Sequence, residues 1–285
     1  IKDPGNNGVW LMGYMRKQAS DSKSIRRTIM REKLINIIFS VSLISTGIYA
    51  YEACNKAYTS PLYPEKIVKA GEEAVRLVRT SKLADSVPLW ITVLDWQDKN
   101  LGVNDYRTIR TLKNLSAIYL SLGLLNDAET SYSKLRERLS FDEGENRLAI
   151  LQVDIQRTFL LLMQDRYEDA KKLGNNTLLK LEVEQMSNST KEQADLIDIL
   201  ASIDSDQGRF KEARDKIMKV LSLRKKLDGT NALSTATSLN NLAQNSIELG
   251  YIAESITLQN QVLEIYRHSK YPATPAMIST ALSNL

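Results

Sequence analysis

The chain has 285 residues, one cysteine, one histidine, a 7% aromatic share and a formal net charge of +4. A single cysteine excludes an intrachain disulfide, and a single histidine excludes most histidine-based metal and triad sites. Residues 1–33 hold Lys2, Arg16, Lys17, Lys23, Arg26, Arg27, Arg31 and Lys33 against Asp3, Asp21 and Glu32, so the remainder is close to neutral and is not a polyanion binder by charge.

In chain order, residues 1–33 form a basic flank that starts at Ile1. It reads as a matrix-type leader remnant or as the cytosolic side of a membrane segment. Residues 34–51, LINIIFSVSLISTGIYAY, carry no charge over 18 residues. A membrane-spanning helix needs about 17–25 residues, so this run predicts a transmembrane helix. Arg26, Arg27, Arg31 and Lys33 flank one side, which keeps the N-terminus in the cytosol or matrix and places the C-terminal remainder of the chain across the membrane. Tyr49 and Tyr51 fit the far interface. Ser42, Ser45 and Thr46 share a face and suit either back-bonding to their own helix carbonyls or a small-residue contact with another membrane helix. Cys54 falls at the membrane edge. Residues 52–63 read as a linker, and Pro64 followed by Glu65 opens the next helix.

From residue 64 onward one pattern recurs. Small residues stand at Ala74, Ser116, Thr158, Ala201 and Ala243, in steps of 42, 42, 43 and 42. Seven residues after each comes a turn residue: Ser81, Gly123, Asp165, Gly208 and Gly250. A second helix follows each turn, marked by Trp90 and Val93, by Ala128 and Tyr132, by Tyr167 and Ala170, and by Phe210 and Ala213. The last copy is the plainest. Leu239, Leu242, Ala243 and Ile247 give an apolar stripe before Gly250, and Ile256, Leu258, Val262, Leu263 and Ile265 give another after it. Polar stretches at 98–104, 140–146, 184–189 and 228–234 are expected as loops between helix pairs. Residues 279–285, STALSNL, repeat the frame of 236–242, ATSLNNL, and predict that the array is cut inside a sixth repeat. A fixed period of this kind predicts an all-α solenoid over 64–285, behind the flank, the 34–51 helix and the linker.

The long period, the run Asn240-Asn241-Leu242-Ala243 and the proline-bearing Tyr271-Pro272-Ala273-Thr274-Pro275 resemble the tetratricopeptide repeats of the kinesin light chain family. That resemblance implies a right-handed superhelix whose first helices line a concave groove. The groove residues it implies are Arg110, Lys113, Asn114, Ala117, Leu120 and Ser121 in the second repeat. In the fourth they are Asp195, Asp198, Ile199, Ser202, Ser205 and Asp206, and in the fifth Thr237, Asn240, Asn241, Gln244, Ile247 and Glu248. Such a groove is basic at its start, acidic in the middle and amide-rich towards its end.

No residue pattern points to catalysis. Asp195, Asp198, Asp204 and Asp206 lie on one helix without the glycine turn of a calcium loop, and they read as a solvated acidic face. His268 reads as exposed in a charged loop. No phosphate-binding glycine loop occurs, so neither an enzyme, a cofactor nor a metal is expected. A binding surface remains. Ser60-Pro61-Leu62-Tyr63-Pro64-Glu65, Val93-Leu94-Asp95, residues 104–109, Ala117-Ile118-Tyr119 and residues 125–129 resemble the fungal mitochondrial inner-membrane adaptor family of the i-AAA protease. This implies an inner-membrane adaptor with its repeats in the intermembrane space, presenting client proteins to a protease. The alternatives are an assembly factor for a respiratory-chain complex and a cytosol-facing scaffold on another organelle membrane. The expected partners are proteins in the groove and the membrane at 34–51, with no nucleic acid and no small-molecule substrate.

Overall fold

The computed structural model of the chain describes residues 63–183 and 190–268. These form ten α-helices and no strand: α1 Glu65–Arg79, α2 Leu83–Asn100, α3 Tyr106–Ser121, α4 Leu125–Leu139, α5 Glu143–Met163, α6 Tyr167–Val183, α7 Thr190–Asp206, α8 Phe210–Leu227, α9 Leu233–Glu248 and α10 Ile252–His268. Each odd-numbered helix packs antiparallel to the even one after it, and each pair packs on the next, which makes an all-helical solenoid. The 34–51 run, the 184–189 loop and the sixth-repeat frame lie outside the described residues. Among the described residues no helix is long and apolar enough to cross a membrane.

The period sets the geometry directly. Ala74, Ser116, Thr158, Ala201 and Ala243 are all buried, so each first helix approaches its partner closely where its side chain is small. Twelve residues on, Ser86, Ala128, Ala170, Ala213 and Ser255 are buried in the facing helix. Between them the backbone turns in the left-handed region at Ser81, Gly123, Asp165, Gly208 and Gly250. The next residue's N–H reaches back to the helix in every copy, from Lys82 to Leu77, Leu124 to Tyr119, Arg166 to Leu161, Arg209 to Asp204 and Tyr251 to Ser246, at 2.8–2.9 Å. Five Schellman-type stops therefore occupy the predicted turns. Ser81 and Asp165 adopt φ 60°, which glycine tolerates better than either.

Three expectations are corrected. Residues 140–146 are not a loop: Ser140–Asp142 makes one 3₁₀ turn and α5 begins at Glu143. The Asn146 amide donates to the Leu139 carbonyl at 3.2 Å and helps hold that tight passage. Ile256 faces solvent, because α10 buries Ser255, Leu258, Gln259, Val262, Ile265 and Tyr266 instead. His268 is exposed as expected, but it ends α10 and sits 3.4 Å from Glu264 rather than in a loop.

Candidate functional site: the face of the first helices

The first helices α3, α5, α7 and α9 are linked to one another by side chains. Asp105 starts this face by capping α3, accepting the Arg107 N–H at 2.9 Å. Lys113 Nζ donates to Gln152 Oε1 at 3.2 Å, and Gln152 Nε2 donates to Glu192 Oε1 at 2.9 Å. Further on, Asn241 Nδ2 donates to Asp198 Oδ1 at 3.1 Å. Glu192 Oε2 is buried with no hydrogen-bond partner among the described residues. Lys113 is exposed by area, yet desolvation by the surrounding protein holds its ammonium below the usual lysine range. The pull of Glu192 opposes that shift, and the repulsion of Lys191 adds to it. Lys113 on α3 thus feels Glu192 and Lys191 of α7 across α5.

Along this face the side chains divide into spent and unspent. Arg110, Asn114 and Gln244 are half-buried and have no side-chain partner among the described residues. Gln156, on α5, is the same. Ser202 is turned back onto the Asp198 carbonyl at 3.0 Å and Thr237 onto the Leu233 carbonyl at 3.0 Å. Asn240 is buried and accepts from Gln259 Nε2 at 3.1 Å, so it ties α9 to α10 instead of facing a ligand. Of the three groove amides Asn240, Asn241 and Gln244, only Gln244 has no side-chain partner among the described residues.

The acidic middle of the groove is also corrected. Asp198 is buried and Arg224 Nη2 lies 3.0 Å from its Oδ2, while Asp195 Oδ1 receives the same nitrogen at 3.4 Å. Burial alone would lower the Arg224 pKa, but Asp198 and Asp195 outweigh it and hold the guanidinium above its usual range. Lys191 takes the other Asp195 oxygen at 3.1 Å. Asp204 is buried among Lys171, Arg209 and Lys216 at 2.6–3.0 Å. Asp206 is half-buried at the end of α7. Asp195, Asp198 and Asp204 therefore neutralise cations of the array and do not form a solvated acidic face. Gln152 and Gln156 were missed, although counting back from Thr158 as for the other repeats reaches both. Glu192 lies a full turn before any counted position, and no sequence signal marks it.

Residues 193–268 match the family model of the tetratricopeptide repeat. No curated protein matches the chain. Three solved structures are similar in fold. NprR, solved in complex with its cognate peptide NprX, is 17% identical over 92% of this chain and 78% of its own, with a TM-score of 0.59. BtubC (BKLC) of P. vanneervenii is 18% identical over 72% of this chain and 79% of its own, at 0.56. A Podospora anserina chain assigned as a kinesin light chain with nearly identical TPR-like repeats is 16% identical over 71% and 95%, at 0.55. With the period, the turns and the buried small residues, these likenesses show the described residues to be an all-helical solenoid of the tetratricopeptide type.

Proposed function

We propose that this chain is a protein-binding repeat scaffold whose inner face holds an extended segment of a partner polypeptide. The observation that carries this reading is the set of unspent donors and acceptors at Arg110, Asn114, Gln156 and Gln244, on the first helices α3, α5 and α9 of one face. Amide side chains both donate and accept, so they can pair with the N–H and C=O of an extended backbone whatever its sequence. The fold likeness to NprR, a protein solved with a bound peptide, supports the same use of a solenoid. In its finer form the scaffold is a membrane-anchored adaptor that presents clients to a mitochondrial inner-membrane protease, with its repeats in the intermembrane space. The basic flank followed by the uncharged 34–51 run supports that form.

A photo-crosslinking residue placed at Asn114 or Gln244 tests the inner face against one placed at the exposed Leu179 of α6. The proposal expects adducts with partner proteins from the first two positions and few from the third. Equal labelling from Leu179 would remove the inner face as the binding surface. Protease treatment of intact mitochondria and of mitoplasts tests the location, and repeats digested in intact organelles would overturn the intermembrane-space assignment.

A further inference from the structure

Joints between repeats are built on a leucine frame, and one joint departs from it. Twenty residues after the buried small residue stand Leu94, Leu178, Leu221 and Leu263, but Arg136 in the second repeat. Four residues before it stand Ala70, Leu112, Ile197 and Leu239, but Asp154 in the third. One residue before it stand Leu115, Leu200 and Leu242, but Arg157 in the third, with Glu73 in the first repeat. Elsewhere the two sides of a joint share an apolar cluster: Leu94 with Leu112, Leu178 with Ile197, Leu221 with Leu239. At the joint of the second and third repeats, the same places hold Arg136, Asp154 and Arg157.

The result is a cleft of about 380 Å³ between α4 and α6 with α5 as its floor, lined by Ser133, Arg136, Glu137, Asp154, Arg157, Leu173, Asn176 and Lys180. Asp154 is buried at its base. Both arginines bond the same carboxylate oxygen, Oδ1, from Arg136 Nε at 3.0 Å and Arg157 Nη1 at 3.3 Å. One carboxylate thus fixes two guanidiniums and leaves most of their N–H groups unspent. Ser133, Asn176 and Lys180 have no side-chain partner among the described residues. Within the lining three cations face two carboxylates, Asp154 and the rim residue Glu137, and Glu129 beyond the lining also feels Arg157. An ion pair put in place of leucine packing brings no gain in stability of its own. The arrangement makes physical sense as a receptor for an anion.

We infer that this outer cleft binds a phosphorylated side chain, phosphoserine or phosphothreonine, presented by a partner protein. A carboxylate offers two acceptor oxygens and one charge. Two guanidinium forks, an ammonium, an amide and a hydroxyl match better the three oxygens and near-double charge of a phosphoryl group. The walls Ser133, Glu137, Asn176 and Lys180 are exposed, so the cleft covers only one side of its ligand. A small molecule is normally enclosed over most of its surface, whereas a phosphorylated side chain brings the partner's surface to close the rest. The inference is independent of the inner-face groove.

The test uses the full chain in mild detergent and fluorescence anisotropy with a labelled heptapeptide of glycine and alanine around one phosphoserine, beside its unphosphorylated twin. Saturable binding of the phosphopeptide is expected, about tenfold or more tighter than the twin. Inorganic phosphate should compete only at much higher concentration. The triple variant Arg136→Leu, Asp154→Leu, Arg157→Leu restores the frame of the other joints and so should fold and melt like the parent, yet lose the preference. Lys180→Ala removes an ammonium that has no polar partner among the described residues, and it should weaken phosphopeptide binding several-fold. The inference is overturned if phosphopeptide and twin bind alike, if the triple variant keeps the preference, or if inorganic phosphate competes as well as the peptide.

Discussion

Arg224 of α8 enters a column that Gln97, Leu139, Leu181 and Tyr266 fill in the other repeats, while Arg136 of α4 enters a column of leucines. Both are charges placed where the frame is mostly neutral or apolar. Arg224 is enclosed: Asp195 and Asp198 of α7 and Ser238 of α9 take its guanidinium, and its side chain is 10% exposed. Arg136 is a third exposed and shares one carboxylate oxygen with Arg157 beside an open cleft. A closed cluster with its charges matched is part of the architecture. An open one with cations in excess has capacity left for a ligand.

The largest effect is expected at Arg224. Arg224→Leu leaves Asp198 buried without its cation, and urea denaturation should show a loss of about 3–5 kcal/mol. Adding Asp198→Leu should recover most of that. A loss no larger than that of a surface variant would mean the cluster is not closed. Gly174, next to the cleft wall residue Leu173, is the second point. A Cβ there would lie 2.9 Å from Leu200 Cδ2 and 3.0 Å from Thr158 Cγ2, so Gly174→Leu should overpack α6 against α5 and α7 and cost about 1–3 kcal/mol. Arg157→Leu should cost less than about 1 kcal/mol in the same assay, because Arg136 keeps Asp154 paired and leucine suits the column.

The last effect is read from the pH dependence of stability and concerns Asp204. Burial pushes its carboxyl up, but Lys216, Arg209 and Lys171 together outweigh that and hold it below the ordinary aspartate range. A depressed carboxyl stabilises the fold above its unfolded pKa, and that stability is lost as pH falls through the folded value. Stability should therefore decline through the acid range, below about pH 4. The decline should be shallower in Asp204→Asn, as read from melting temperatures across pH. An identical slope in both would remove Asp204 from the account.

Much of the fold was legible because it rests on local chemistry that repeats. A small residue, a left-handed turn seven residues on and an apolar second helix recur in one register, and Ser81 and Asp165 kept the turn without glycine. The 3₁₀ passage at Ser140–Asp142 was not legible, since polar residues suit a loop and a tight helical join equally. The candidate site was less legible. Asp195 and its partner Arg224 are 29 residues apart on different helices, so the aspartates looked solvated when read along α7 alone. Reading down the repeat columns exposes Arg224, Arg136 and Asp154 as departures, and the same count reaches Gln152 and Gln156.

The central claim is that free side chains on the inner face carry partner binding. Replacing Arg110, Asn114, Gln156 and Gln244 together by alanine tests it most directly, because none of the four has a partner within the described residues whose loss could unfold the array. The full chain and this variant are purified in mild detergent, their melting temperatures are compared, and co-purifying proteins are quantified. The account predicts an unchanged melting temperature with partner yield reduced about tenfold or more. An undiminished yield from a variant that melts like the parent would contradict it.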